Sequence, residues 1–207
     1  MTTWITRAQR ISVREFRQEP EPVFRRIFKS LELRDAHRVE EIFQASFRTG
    51  LILECGTFRL LPEHFEALRK AARAVGDEFL YLTILYTGPP EAHSWRLPML
   101  SYAAYLNAEE EIPRWEGFIA LERVIYSPTG SWGVCSYDPY SIVCGSNEFL
   151  RVFMNVYKDW PRDLAEFVDS MREAQSLRGV NASWVQPLLD SLYGSDAPQF
   201  DVSKGAA

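Results

Sequence analysis

The chain has few of the side chains that most often carry chemistry. Its 207 residues include only three histidines and three cysteines. The sequence contains neither a His-x3-His nor a Cys-x-x-Cys pair. Zinc sites usually take at least two ligands from such a local pair, so the sequence predicts no metal ligand. We interpret the three histidines as surface polar residues: His37, His64 and His93.

The cysteines indicate a reducing compartment, because an odd number at wide spacing is not a disulfide framework. Cys135 and Cys144 lie on successive predicted strands, where a cross-hairpin bond is geometrically allowed, but we expect two reduced core thiols. Cys55 lies between a predicted strand and a loop, a position that suits a reactive thiol. The alternative is that Cys55 is a small buried apolar residue.

Long apolar runs and phosphate-binding motifs are also absent. No run of about 18 apolar residues occurs, so we expect no membrane-spanning helix. No apolar stretch follows Arg7 and Arg10, so we expect a cytoplasmic protein without a secretory signal. Neither Gly-x-x-x-x-Gly-Lys-Ser/Thr nor Gly-x-Gly-x-x-Gly is present, so the sequence predicts no nucleotide cofactor.

Charge is unevenly distributed along the chain. The net charge is −5, yet residues 1–30 hold seven basic and three acidic residues, which leaves −9 for the remainder. A nucleic-acid-binding protein normally presents a basic face, so the acidic bulk argues against that class. We interpret the basic N-terminal segment as a solvated helix face, with an anionic partner as the alternative.

The stretch 119–157 has the clearest structural pattern. Residues 119–126, 132–137 and 141–144 are apolar and rich in β-branched or aromatic side chains, which predicts three strands. Ser-Pro-Thr-Gly and Asp-Pro sequences between them predict turns. A helix capped by Ser146 or Asn147 follows, with apolar side chains at helical spacing. An antiparallel meander covered by a helix buries all these side chains.

The rest of the chain predicts helices and strands in mixed order. Apolar spacing and caps predict helices over 22–32, 35–47, 62–75, 161–178 and 181–192. Strands are predicted over 51–54 and 79–86, with a short edge strand near Ile11 and an ambiguous segment at 97–106. We therefore predict one α+β domain over 1–193, with an antiparallel or mixed sheet of about five or six strands and helices packed on it. Residues 194–207 are predicted to be a flexible tail.

Two features favour a protein-binding surface. Aromatic residues cluster near predicted turns, and tyrosine and tryptophan are enriched at protein interfaces. An acidic segment, predicted to be an exposed loop, surrounds Trp115 and suits a basic partner. The predicted partner-binding residues are Glu109, Glu110, Glu111, Trp115, Glu116, Trp132, Tyr137 and Tyr140.

The segment 126–149 resembles an element of small cytoplasmic bacterial proteins. In this element a Ser-Pro-x-Gly-x-Trp-Gly hairpin, here Ser127 to Gly133, precedes a Gly-x-x-Glu-Phe helix start, here Gly145 to Phe149. Some of these proteins resemble immunity proteins encoded beside polymorphic toxins. The resemblance covers about 25 residues, carries no catalytic residue and implies a protein that blocks a toxin by surface complementarity.

We therefore expect a non-enzymatic, immunity-type inhibitor that masks a basic toxin domain through an acidic, aromatic-bearing surface. The sequence predicts no catalytic residue, cofactor or metal, and neither a nucleic acid nor a membrane as partner. Two alternatives stay open. One is a small enzyme with a pocket near Cys55, and the other is a structural subunit that forms homo-oligomers.

Overall fold

The architecture is α+β, built on one antiparallel sheet of seven strands. The computed structural model describes residues 5–29, 39–47, 49–54, 60–85, 93–110, 123–136 and 140–200. The strands are β1 Gln9–Arg10, β2 Gly50–Glu54, β3 Phe79–Ile84, β4 Ser94–Pro98, β5 Arg123–Tyr126, β6 Trp132–Ser136 and β7 Tyr140–Gly145. Their order across the sheet is β1-β4-β3-β5-β6-β7-β2.

Helices cover both faces of this sheet. The α-helices are α1 Val13–Gln18, α2 Pro20–Ile27, α3 Val39–Ile42, α4 Pro62–Ala74, α5 Tyr102–Glu110, α6 Asn147–Val156, α7 Trp160–Arg178 and α8 Val185–Tyr193. Side chains of α1, α2, α3, α7 and α8 share a core with one face, which we call the first face. Side chains of α4, α5 and α6 share a core with the opposite, second face.

The central strands are apolar on both sides because both faces are buried. Leu82, Ile125, Val134 and Val143 lie in register across β3, β5, β6 and β7 and belong to the second-face core. Their neighbours in the next row contribute to the first-face core, since successive side chains of a strand point to opposite faces. These residues are Tyr81, Tyr126 and Cys144.

The predicted meander is present as β5, β6, β7 and α6, within the residues that the structure describes. Ser146 caps α6, since its side-chain oxygen accepts the backbone N–H of Phe149 at 3.3 Å. The α+β class is confirmed, but the sheet has seven strands rather than five or six. The strand β4, which begins before the ambiguous segment 97–106, accounts for the difference from six.

Three predicted elements differ from the observed ones. The helix over 35–47 is reduced to α3 in the described residues, because Phe43 leaves the helix and forms an antiparallel bridge with Phe28. The ambiguous segment 97–106 divides into the end of β4 and the start of α5. The edge strand predicted near Ile11 ends just before that residue as β1, and the unpredicted helix α1 follows at Val13 with a reciprocal capping box between Ser12 and Glu15.

The edge strand β2 is shielded from solvent. Helices α7 and α8 both pack against β2. The backbone N–H of Ile52 donates to the hydroxyl of Tyr193 at 2.9 Å. An edge strand presents unpaired backbone groups, so this side-chain hydrogen bond satisfies a donor that no neighbouring strand reaches.

Part of the predicted flexible tail is packed. Residues 194–196 form a short 3-10 turn after α8. Phe200 is 5% exposed and belongs to the first-face core, and its backbone N–H donates to the side chain of Gln186. The burial of one phenylalanine therefore fixes the described part of this tail against α8, and residues 201–207 lie outside the described part.

Gly133 allows α2 to approach the sheet closely. A Cβ atom at this position would lie 2.6 Å from Ile27 Cγ2 and 2.8 Å from Phe28 Cζ. We expect Gly133→Ala to lower the free energy of unfolding by about 1–3 kcal/mol, because these core side chains must move. Urea denaturation followed by circular dichroism measures the change. In Gly133→Ala/Ile27→Ala the loss should be smaller than the sum of the two single losses, whereas strict additivity would contradict the contact.

Candidate functional site

Asp77 is the centre of a buried hydrogen-bond network at the start of β3. Its carboxylate is 1% exposed. Oδ2 accepts from Ser127 Oγ and from Trp132 Nε1, each at 2.7 Å, and Oδ1 accepts the backbone N–H of Thr129 at 3.3 Å. Three donors from the β5–β6 turn therefore converge on one carboxylate that follows α4.

The same network explains the Ser-Pro-x-Gly-x-Trp-Gly pattern. The hydroxyl of Ser127 also accepts the backbone N–H groups of Thr129 and Ser131, at 3.1 and 3.0 Å. Gly130 has a φ of +78°, which disfavours residues with a Cβ atom. The ring of Trp132 stacks on Phe149 of α6 at 5.4 Å between centroids. The serine, the tryptophan and both glycines of the pattern have folding roles, so the motif serves the architecture.

Asp77 is expected to contribute strongly to stability. Asp77→Ala leaves the buried hydroxyl of Ser127 and the indole N–H of Trp132 without their acceptor, so we expect a loss of about 2–4 kcal/mol in the free energy of unfolding. Glu78→Ala changes an exposed neighbouring carboxylate and should stay within about 0.5 kcal/mol of the parent. Chemical denaturation of both variants tests the network. Equal, small effects would contradict the role of Asp77.

The pH dependence of stability should carry the signature of this carboxyl group. Burial raises the pKa of Asp77 above its ordinary value of 3.8, although hydrogen bonds from Ser127, Thr129 and Trp132 oppose the shift. Above pH 3.8 the folded state therefore retains a proton that the unfolded state has lost, and stability falls as pH rises. We expect the stability advantage of the parent over Asp77→Asn to shrink from pH 4 upwards and then level off. An advantage that grows with pH would contradict this sign.

A second buried network joins three helical segments: α4, the end of α6 and α7. His64 Nε2 lies 3.0 Å from Asp163 Oδ2, and the hydroxyl of Tyr157 donates to Asp163 Oδ1 at 2.7 Å. With the Asp163 oxygen as acceptor, the Nε2 atom carries the proton. Burial, and then the hydrogen bond to Asp163, raise the pKa of Tyr157, so its hydroxyl retains its proton and acts as donor.

This network has the components of a catalytic dyad but not its accessibility. His64 is 0% exposed and Asp163 is 2% exposed. His64 Nδ1 is buried and has no hydrogen-bond partner among the described residues. Leaving such an atom unpaired costs about 1–3 kcal/mol, so the network holds α4, the end of α6 and α7 together at a measurable cost.

The sequence interpretation of these residues was wrong. His64 and His93 are buried rather than surface residues, at 0% and 7% exposure, and His37 lies outside the described residues. Asp163 of α7 is also buried, because it takes part in the His64 network. Neither network could be predicted, because Asp77 is 50 and 55 positions from Ser127 and Trp132, and His64 is 99 positions from Asp163.

Cys135 and Cys144 are free, fully buried thiols of the first-face core. Cys135 is paired in register with Ile142, and Cys144 with Gly133, so the two cysteines are diagonal neighbours. Diagonal Cβ atoms lie about 7–8 Å apart, beyond the 3.5–4.5 Å of a disulfide. Burial raises the pKa of Cys144 well above its ordinary value. The expected reduced thiols are confirmed, whereas Cys55 lies outside the described residues.

We expect these two thiols to be inert in the folded protein. In the variant Cys55→Ala, an Ellman reagent at pH 7.5 should react at least about 100-fold more slowly before unfolding than after it, because only exposed thiolates react. Rapid native reaction of that variant would contradict the burial. In the parent, fast and selective labelling of Cys55 would support the enzyme alternative, while three inert thiols would weigh against it.

The acidic run begins inside α5 rather than in a loop. Glu109 and Glu110 form the carboxyl end of the helix, whose last turn contains no basic residue, and Glu110 is exposed. The carboxyl end of a helix is the negative end of its dipole, so acidic side chains there are unfavourable. The acidic residues and the negative end of the helix dipole therefore both contribute negative potential at this end of α5.

The aromatic residues of the predicted partner-binding surface fall into two groups, those in the core and those outside the described part of the chain. Trp132 is 0% exposed and Tyr140 is 4% exposed, and both rings pack in the interior. Trp132 is held by Asp77 and Phe149, while Tyr140 packs on Phe167 and Trp184. These two residues are therefore not exposed contact residues. The side chain of Glu109, and the residues Glu111, Trp115, Glu116 and Tyr137, lie outside the described part.

The described residues bring no three histidine, cysteine or acidic side chains together as a metal site requires. Among the helices of the described ranges, none has both the length and the apolarity needed to cross a membrane. No protein-family model, curated protein or solved structure matches this chain. Function must therefore be argued from the surfaces and contacts of this chain itself.

Proposed function

We propose that the chain is a non-enzymatic, cytoplasmic binding protein, an immunity-type inhibitor that masks a basic toxin domain. The observation that carries the proposal is the acidic carboxyl end of α5, where Glu109 and Glu110 oppose the helix dipole. A sequence optimised for stability alone would place lysine or arginine there. Residues that are retained although they lower local stability are typical of functional surfaces.

The position of this acidic end suits a contact surface. Tyr105 and Ala108 anchor α5 in the second-face core, so the helix is a rigid support. Glu110 is exposed beyond that anchor. Negative potential on a rigid support steers a basic partner and raises its association rate, chiefly at low salt.

Charge reversal tests the acidic end directly. The protein is used to capture partners from its native cells, and the captured protein is purified for stopped-flow kinetics. We expect Glu109→Lys/Glu110→Lys to lower the association rate constant at least about tenfold at low salt and to flatten its salt dependence. The same variant should be more stable to urea by about 0.3–1 kcal/mol per site, because the lysines complement the dipole.

The matched control is Glu78→Lys/Glu173→Lys, which makes the same change in net charge at exposed positions outside α5. It should leave the association rate within about twofold of the parent. Inhibition is measured as protection of cells that express the captured protein. A captured partner whose toxicity is unaffected, or equal slowing by the two variants, would overturn the proposal.

A further inference from the structure

The exposed side of α1 and α2 carries a group of cations that we call the basic band. It comprises Arg14, Arg17, Arg25, Arg26 and Lys29, all of them exposed. In α1 the buried residue is Phe16, and Arg14 lies nearly opposite it at 100° per residue. In α2 the buried residues likewise leave Arg25 and Arg26 on the outer side. The band therefore faces away from the first-face core.

The acidic residues of this segment are already occupied. Glu15 accepts from Ser12 and lies 3.8 Å from Arg96, while Glu19 accepts from Arg96 at 2.7 Å. Glu21 pairs with Arg25 at 2.6 Å. Within the described ranges, no carboxylate pairs with the remaining cations Arg14, Arg26 and Lys29. The segment thus retains positive charge after its internal ion pairs are counted.

The sheet beneath fixes the extent of the band. Arg96, which holds α1 through Glu15 and Glu19, belongs to β4. The guanidinium of Arg26 lies over Gly130 in the β5–β6 turn, about 3.0 Å from where a Cβ atom would be. In the sheet order β4-β3-β5-β6, strand β4 with Arg96 and the β5–β6 turn under Arg26 are two to three strand spacings apart, or about 10–14 Å. Three or four residues of an extended peptide span that distance.

The chemistry of the band favours carboxylates over a nucleic acid. Of the three band cations without a carboxylate partner in the described ranges, two are arginines, Arg14 and Arg26, whose planar guanidinium groups bind carboxylate or phosphate in a bidentate manner. Binding of single-stranded nucleic acid also relies on exposed aromatic rings that stack on bases. The aromatic residues of α1 and α2 and of the residue after them, Phe16, Phe24 and Phe28, are all buried in the first-face core.

We infer that the basic band binds an extended acidic polypeptide segment, with acidic side chains at alternate positions facing the arginines. Alternate residues of an extended chain lie about 6.6 Å apart on one side, so the acidic side chains of such a segment can all face the band. The band and the acidic end of α5 lie on opposite faces of the sheet. This inference is therefore independent of the proposed inhibitor function.

Fluorescence anisotropy with a fluorescein-labelled Glu-Ser repeat of twelve residues tests the band on the full-length protein. We expect saturable binding at 20 mM salt that weakens steadily as salt rises. Arg14→Glu/Arg26→Glu/Lys29→Glu should weaken binding at least about tenfold. The matched control Lys158→Glu/Arg162→Glu/Arg178→Glu makes the same change in net charge on exposed residues elsewhere and should change the Kd by less than about twofold.

Three results would overturn the inference. One is no saturable binding of the peptide at 20 mM salt. Another is equal weakening by the control variant, which would indicate a response to net charge alone. The third is equally tight binding of an oligothymidylate with six phosphates, which would assign the band to nucleic acid. Unchanged circular dichroism and denaturation midpoints of both triple variants confirm that folded proteins are compared.

Discussion

The hydrogen bond from the Trp132 indole to the Asp77 carboxylate connects parts of the chain that would otherwise be independent. It joins the α4–β3 connection to the β5–β6 turn, and the indole ring then stacks on α6. The next residue, Gly133, lies directly under Ile27 of the first-face helix α2 and the adjoining Phe28. One buried acceptor therefore fixes the position of both helical layers relative to the central strands. Charged acceptors with several donors make the stronger hydrogen bonds of a protein interior, which suits this central role.

The buried polar groups of this fold act as connections between elements rather than as reagents. The Asp77 network joins a turn to a helix end, and the His64 network joins three helical segments. Thr83, Ser94 and Tyr126 form a third network across β4, β3 and β5 on the first face. Buried polar networks of this kind specify a single arrangement of the core, since any alternative packing leaves their members unsatisfied. The exposed charges, by contrast, are divided between the two faces, and the interaction hypotheses rest on them.

The sequence predicted the elements that depend on neighbouring residues and missed the contacts between residues far apart in the chain. The meander, α4, β3 and α7 follow from periodicity, turns and caps, which act within a few residues. The end of α3 could not be predicted, because Phe43 leaves the helix to pair with Phe28, 15 positions earlier. Trp132 and Tyr140 were expected at a surface, since aromatics near turns fit an interface as well as a core. Of the expected acidic loop, the described residues Glu109 and Glu110 instead end helix α5, and the sequence did not predict this helix because the segment 97–106 was ambiguous between strand and helix.

The shielding of β2 sets a limit on how this molecule can associate. A bare edge strand is a template onto which another chain can add as a further strand, the route that leads to amyloid-like growth. Here the hydroxyl of Tyr193 and the helices α7 and α8 cover the free edge of β2. At the opposite edge of the sheet, β1 is only two residues long and carries Arg10. Strand addition at β2 would require the displacement of α7 and α8 together with their core side chains. Among the described residues, neither edge of the sheet therefore offers a long bare strand that another chain could extend.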